Sequence, residues 1–407
     1  MAIDTTSAYV WVKSPGCYPC HSSDNSFDVG TSTTFESLHI NMTLKYGASE
    51  VIGILGNDLV KMGKDDDLSV NKQELVVIQS DYGFDNLTAD GIIGFGFSQL
   101  SSGIPTFMEN LKNQSKIANL FFSLYLNDNE FDNHKNPEPK SVLIIGGVNT
   151  DYAESSNSPV YNLRADVSSG YWKVALNTLY FGVDKMNITS KAAIFDTRKA
   201  TISAPESDAK IIRRFLYNQY EECNYDNQGL IVCTCDDIRD YPAFEFQLSG
   251  NQKKFALEPK HYFHKEDEKC LLLLSIDNSV PNTWHLGGPF LRSYYSVYDG
   301  EQEIVSLYPA KVSEDHSDDY KESTRWIIVF FVVLLIVICI VMSVFLYLFC
   351  CRHKIDFDEH YKPLFTAKYN LPPHYHRTAV RTSTGQVVPD YTPTSRQNRV
   401  FPGIASK

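Results

Sequence analysis

Two hydrophobic runs in this chain each end in an Asp-Thr pair. They are Ala2-Ile3-Asp4-Thr5-Thr6-Ser7 and Ala193-Ile194-Phe195-Asp196-Thr197-Arg198-Lys199. A single pair carries little information. A duplicated one, 192 residues apart, suggests two halves that each bring one carboxylate to a shared site. Like charges a few ångströms apart cannot both ionise easily, so such a pair shares one proton. One carboxylate can then act as base toward water while the other donates a hydrogen bond to a carbonyl. Side chains supply both groups, so neither a metal nor an organic cofactor is expected.

The segments around these pairs narrow the reading. Ser7-Ala8-Tyr9-Val10-Trp11-Val12 follows the first Asp. Lys45-Tyr46-Gly47-Ala48-Ser49 and then Gly53 through Asp58 come further on. Asp90-Gly91-Ile92-Ile93-Gly94-Phe95-Gly96 comes next, and Trp284-His285-Leu286-Gly287-Gly288-Pro289-Phe290-Leu291-Arg292 through Asp299 closes the series. In this order, from Met1 to about Ala310, the chain resembles the pepsin family. The resemblance implies a mostly β, bilobal fold: an N-terminal lobe over 1–150 with the first Asp and a flap, and a C-terminal lobe over 151–310 with the second. An extended peptide would lie in the cleft between them. It implies Asp4 and Asp196 as catalytic groups, with Thr5 and Thr197 bracing their loops and Ser7 hydrogen-bonding Asp4. Tyr46 would close the flap, and Trp11 is retained beside it.

The same resemblance exposes departures. Thr6 stands where the family has Gly after the first Asp-Thr. In the second half Arg198 takes the Gly position and Lys199 the hydroxyl position, while Ala48 and Ser49 replace a typical Thr-Gly in the flap. Glycines there let backbone pass close to the carboxylates, which a side chain obstructs. A cation beside an Asp lowers its pKa by roughly 1–3 units, and a dyad ionised at both groups loses the shared proton. Three readings stay open: a working aspartic endopeptidase, a catalytically impaired relative whose cleft binds peptides or another ligand, and an adhesion or receptor ectodomain that uses another surface.

Length and pattern agree with two lobes plus appendages. A chain of 407 residues exceeds one ordinary core. Runs such as Ser141 through Gly147 read as short strands. Pro105 through Leu111 has helical spacing. Pro205 through Tyr217 has a Pro start, early Glu206 and Asp208 and later Arg213 and Arg214, charges suited to a helix dipole.

From Trp326 to Phe349 the chain is uncharged and almost wholly apolar, long enough to cross a bilayer as a helix. A polar, acid-rich stalk over 311–325 precedes it, and a tail over 350–407, expected to be disordered, follows. From Arg352 onward nine Lys or Arg face four Asp or Glu, so the tail is about +5 and the rest about −17 of a net −12. The bias favours a single-pass, type I arrangement with a cytosolic tail and a lumenal or extracellular ectodomain, endosomal or at the cell surface. Sequons at Asn41, Asn86, Asn113 and Asn187 all precede the span, in keeping with that orientation. Before Asp4 stands only Met1-Ala2-Ile3, without a charged and apolar leader. The family usually has a signal, a propeptide and further strands there, so an N-terminally truncated chain or a short form is expected.

Six cysteines precede the span, an even number that suggests disulfides but leaves 15 connectivities. The resemblance implies Cys17-Cys20 as a small loop after the first Asp and Cys235-Cys270 in the second lobe, leaving Cys223-Cys233. A redox or metal role for Cys17-Tyr18-Pro19-Cys20 is the alternative. Histidines such as His261, His264 and His285 lack convincing ligand spacing and read as scattered surface or core residues. No Gly-rich loop sits in a phosphate-binding context, and the acidic ectodomain argues against nucleic acid. In the tail, Tyr361-Lys362-Pro363-Leu364 resembles a sorting signal read by an adaptor, and Pro372-Pro373-His374-Tyr375 a WW-domain ligand; chance occurrence is the rival for both. Cys350 and Cys351 could be palmitoylated at the membrane edge.

Overall fold

The structure, a computed structural model, describes residues 1–20, 25–63, 66–84, 87–127, 140–155, 157–220, 222–225, 231–235, 237–249, 253–266, 268–312 and 330–348. The sequon at Asn86, most of the stalk, Cys350, Cys351 and both tail motifs lie outside these residues. The described residues up to Val312 belong to one compact unit, and the helix Phe330–Leu348 to a second.

The protein is mostly β. A six-stranded sheet runs, in spatial order, Ala2–Asp4, Gly91–Gly94, Val10–Lys13, Ser69–Tyr82, Ser49–Lys61 and Glu36–Tyr46. A larger sheet of 13 strands joins segments from both sides of residue 150. In it, Tyr294–Asp299 pairs with Phe121–Tyr125 on one edge and Ile304–Pro309 on the other. A four-stranded sheet built from Cys223 to Leu272 completes the set.

The same local plan occurs twice, which gives the duplicated Asp-Thr a structural meaning. Ala2–Asp4 pairs parallel with Gly91–Gly94, which pairs antiparallel with Val10–Lys13. Ala192–Phe195 pairs parallel with Thr283–Leu286, which meets Ile202–Ala204 antiparallel at Ser203 and His285. In each half a later strand threads between the two arms of the Asp-bearing loop. Such threading needs glycine at its tightest points. A Cβ on Gly94 would lie 2.5 Å from Ser7 O, and one on Gly287 2.2 Å from Thr201 O; both distances are impossible for a side chain, so these positions accept only Gly.

Burial follows the strand alternation. Trp11 and Trp284, one beneath each Asp-bearing loop, are 0% and 1% exposed. Phe122, Trp172, Tyr298 and Phe195 pack ring against ring across the large sheet. The helix Phe107–Asn113 starts at Thr106, whose side chain accepts from Glu109 N while Glu109 reaches back to Thr106 N, a complete capping box. The helix Glu206–Gln219 follows Pro205 and buries Ala209, Ile212 and Leu216.

That second helix also carries Asp208, fully buried under the second Asp loop. Its carboxylate accepts from Thr189 N and Oγ1, Ser190 N and Trp284 Nε1 at 2.8 to 3.1 Å. Burial alone would push this acid up, but the hydrogen bonds from Ser190, Thr189 and Trp284 outweigh it and hold the group below its usual range. Asp208 therefore adds stability above the ordinary carboxylate value of about 3.9, which is lost as pH falls through the lowered one. Asp208→Ala strands these donors and is expected to cost about 3 kcal/mol at neutral pH. Urea unfolding reads this directly, and a loss under about 1 kcal/mol would mean the donors find other partners.

Disulfides join Cys17 to Cys20, Cys223 to Cys233 and Cys235 to Cys270. Asn41, Asn113 and Asn187 are exposed, as glycan acceptors must be. The helix Phe330–Leu348 has 19 residues with none of its surface buried. At 1.5 Å per residue it is about 28 Å long, close to the hydrocarbon thickness of a bilayer.

Candidate active site

Each Asp sits where a strand ends in a tight loop. Asp4 closes Ala2–Asp4 and Asp196 follows Ala192–Phe195; they are 1% and 0% exposed. The two loops lock together through their threonines. Thr5 N donates to Thr197 Oγ1 at 3.1 Å, and Thr197 N donates to Thr5 Oγ1 at 3.2 Å. Thr5 Oγ1 in turn donates to Phe195 O at 2.6 Å and Thr197 Oγ1 to Ile3 O at 2.7 Å. Each hydroxyl accepts from one half and donates into the same half's strand. This reciprocal brace holds Asp4 and Asp196 face to face.

One supporting residue changes identity. Ser7 Oγ makes no hydrogen bond to Asp4; it is buried beside the Tyr46 phenol. Thr6, standing where Gly was expected, does that work. Its backbone N and its Oγ1 both donate to Asp4 Oδ1, at 2.8 and 2.6 Å, and Oγ1 lies 3.5 Å from Asp196 Oδ1. A hydroxyl one residue earlier in the tight loop reaches the carboxylate, and Ser7 is left facing the flap.

Asp196 has its own donors. Arg198 N donates to Oδ1 at 3.0 Å, and His285 Nδ1 meets Oδ2 at 2.8 Å, the His285 and Asp196 side chains being 1% and 0% exposed. By sequence spacing alone His285 is one of the scattered histidines. The signal was its place inside the buried strand Thr283–Leu286, because a buried polar ring requires a partner. The parallel register Ile194–His285 carries the ring up to the Asp196 loop.

Charge is divided unequally. Burial first, then the negative charge of Asp196, pushes the Asp4 carboxyl up; Arg198 and the Thr6 bonds pull the other way without reversing it. Asp4 Oδ2 has no hydrogen-bond partner among the described residues. Arg198 Nε stands 3.9 Å from that oxygen, with its guanidinium 5.5 Å from the centre of the Tyr46 ring. Lys199 turns away and pairs with Asp277 at 2.7 Å. Burial would raise Asp277, but Lys199 and Ser279 hold it well below the carboxylate range. Of the two cations beside the second Asp, only Arg198 reaches the dyad.

The flap is the hairpin of Glu36–Tyr46 and Ser49–Lys61, turning at Gly47 and Ala48. Trp11 Nε1 donates to Tyr46 Oη at 3.0 Å, and Phe84 packs edge-on against both rings. Burial pushes the Tyr46 phenol up, so it stays a neutral hydroxyl. Beneath it a cavity of about 500 Å³ opens, bordered by Arg198 and His285, and a second of about 380 Å³ lies against Asp4, Thr197 and Arg198. Arg198 borders both.

The eukaryotic aspartyl protease family model matches residues 1–310. Among curated proteins, pregnancy-associated glycoprotein 2 of Bos taurus is 29% identical over 325 residues, covering 76% of this chain and 78% of that one. Pepsin A of Sus scrofa is 28% identical over 314 residues, 75% and 76% of the two chains. Plasmepsin IV of Plasmodium falciparum is 31% identical over 321 residues, 76% of this chain and 65% of that one.

Proposed function

The chain belongs to the eukaryotic aspartyl protease family, and on that premise we propose that it is a membrane-anchored endopeptidase with Asp4 and Asp196 as its catalytic pair. The observation that carries this is the unequal environment of two buried carboxylates held by one brace. Asp4 is raised by burial and by the Asp196 charge, which favours its protonated form. Asp196 receives donors on both oxygens. Asp196 takes a proton from a water whose oxygen bonds the scissile carbonyl carbon, while Asp4 gives its proton to the carbonyl oxygen. The C–N bond then breaks as the nitrogen takes the proton held by Asp196, and Asp4 recovers its own from the collapsing diol.

Arg198 favours a second reading, a groove that binds peptides without cutting them. Its guanidinium lies between Asp4 Oδ2 and Tyr46, where a substrate carbonyl would have to arrive. Cleavage therefore requires this side chain to move, and with 24% of it exposed it has a way out. Incubating the full chain in detergent with a broad peptide library from pH 3 to pH 7 separates the readings. Cleavage blocked by a hydroxyl-bearing transition-state mimic is the expected result. Tight binding of that mimic with no cleavage at any pH would favour the silent groove, and no binding at all would point to an adhesion or receptor surface elsewhere.

For the whole chain we propose a type I arrangement, with the sequon-bearing domain lumenal or extracellular and the basic tail cytosolic. The apolar helix and the charge of the tail support it. Adaptor binding at Tyr361-Leu364 and WW-domain binding at Pro372-Tyr375 belong to the same proposal.

A further inference from the structure

The cavity under the flap has an unusual electrostatic wall. Among the described residues that line it, those able to carry charge are Lys45, Arg198, His285 and tyrosines; no Asp or Glu is among them. Burial pushes the phenols of Tyr9, Tyr46 and Tyr171 up, so they are neutral donors. The nearby acids are already engaged. Asp196 takes His285 on its outer oxygen, Asp277 takes Lys199, and Asp4 takes Thr6 on Oδ1. In a chain of net charge −12, a carboxylate-free wall with a guanidinium in it is a specific feature.

Two residues that border it each bury a polar atom with no hydrogen-bond partner among the described residues: Arg198, whose Nε lies 3.9 Å from Asp4 Oδ2, and His285, whose Nε2 is enclosed in a side chain 1% exposed. We propose that this cavity is a subsite for an acidic side chain of the peptide, Glu or Asp, whose carboxylate pairs with Arg198. This rests on reading the cleft as a peptide site. A carboxylate matches the guanidinium fork and offers two oxygens to it. The pairing also has a consequence for turnover. Arg198 borders this cavity and the one over Asp4, so an acid that draws it into the first clears the approach to Asp4 Oδ2. An acidic substrate thereby gains in kcat as well as in KM.

The test uses peptide pairs identical except for Glu or Gln at each position flanking the scissile bond, with the full chain in detergent. At one position the Glu peptide is expected to be favoured about tenfold or more in kcat/KM. Arg198→Gln should bring that ratio close to one, and Lys45→Gln, at the rim, should lower it by less. A native ratio of one or below at every position overturns the proposal, as does an unchanged ratio in Arg198→Gln. If no peptide is cleaved, the same comparison is made on the affinity of uncleavable Glu and Gln transition-state mimics. A preserved Glu preference there sinks the peptidase reading alone; equal affinities sink the acidic subsite.

Discussion

Asn in place of Asp196 is expected to lower peptide hydrolysis by about a thousandfold or more while leaving the fold intact. The amide can still accept from Arg198 N, but it cannot take the proton from water. Asp4→Asn should be as damaging, since an amide has no proton to give the carbonyl oxygen. The two variants differ in stability. Asp4 is raised, first by burial and then by the Asp196 charge. Its contribution to stability is therefore fully present below the ordinary value of about 3.9 and is lost as pH rises through the raised one. Asn carries no such penalty, so Asp4→Asn should be more stable than the parent at neutral pH and should lose that advantage in acid. Urea unfolding at pH 4 and pH 7, run beside the cleavage assay, checks both halves. Full cleavage by either variant would remove the dyad from the mechanism. A variant that is inactive and also unfolded would place these aspartates in the structure rather than the chemistry.

The second large effect is expected at His285. Its Nδ1 is the partner of Asp196 Oδ2, at 2.8 Å in a fully buried setting. Hydrogen bonds to charged groups are worth about 1.5–3 kcal/mol, so His285→Leu should lower kcat by about ten- to a hundredfold. The pH profile distinguishes this from simple unfolding. Loss of a donor to the reacting carboxylate should change the pH profile of kcat/KM, which a packing defect alone would leave as in the parent. The charged groups facing the ring are Asp196, Arg198 and Asp277 with its partner Lys199. His285→Gln, which can still donate, should recover part of the rate. A Leu variant with the parent's profile would reduce His285 to a packing residue.

The path from sequence to site worked where the signal was local. The two Asp-Thr pairs and the strands Gly91–Gly94 and Thr283–Leu286, the latter followed by Gly287, each specify a backbone shape within a few residues, and the chain folds them as two copies of one motif; the Tyr46 hairpin is likewise local. Helical spacing over Pro105–Leu111, and the Pro start and charge order after Pro205, did the same for the two helices. The misreadings came from contacts made in space. Ser7 was expected on Asp4, but the loop brings Thr6 there. His285 looked incidental because its partner lies 89 residues away. Arg198 and Lys199 are neighbours in the chain, yet one turns to the dyad and the other to Asp277.

By itself the sequence determined the family, the mostly β class, the two aspartates and an apolar segment long enough for a bilayer. These depend on short motifs and on periodic burial, which adjacent residues encode together. Only the tertiary structure decided which donors each carboxylate receives, where the Arg198 guanidinium rests and that, among the described residues, no carboxylate lines the cavity under the flap. Those are set by strand register and by side-chain rotamers between residues far apart in the chain. At 3 Å such details decide the charge state of a buried acid, because in a medium that screens weakly each neighbouring charge or hydrogen bond shifts it.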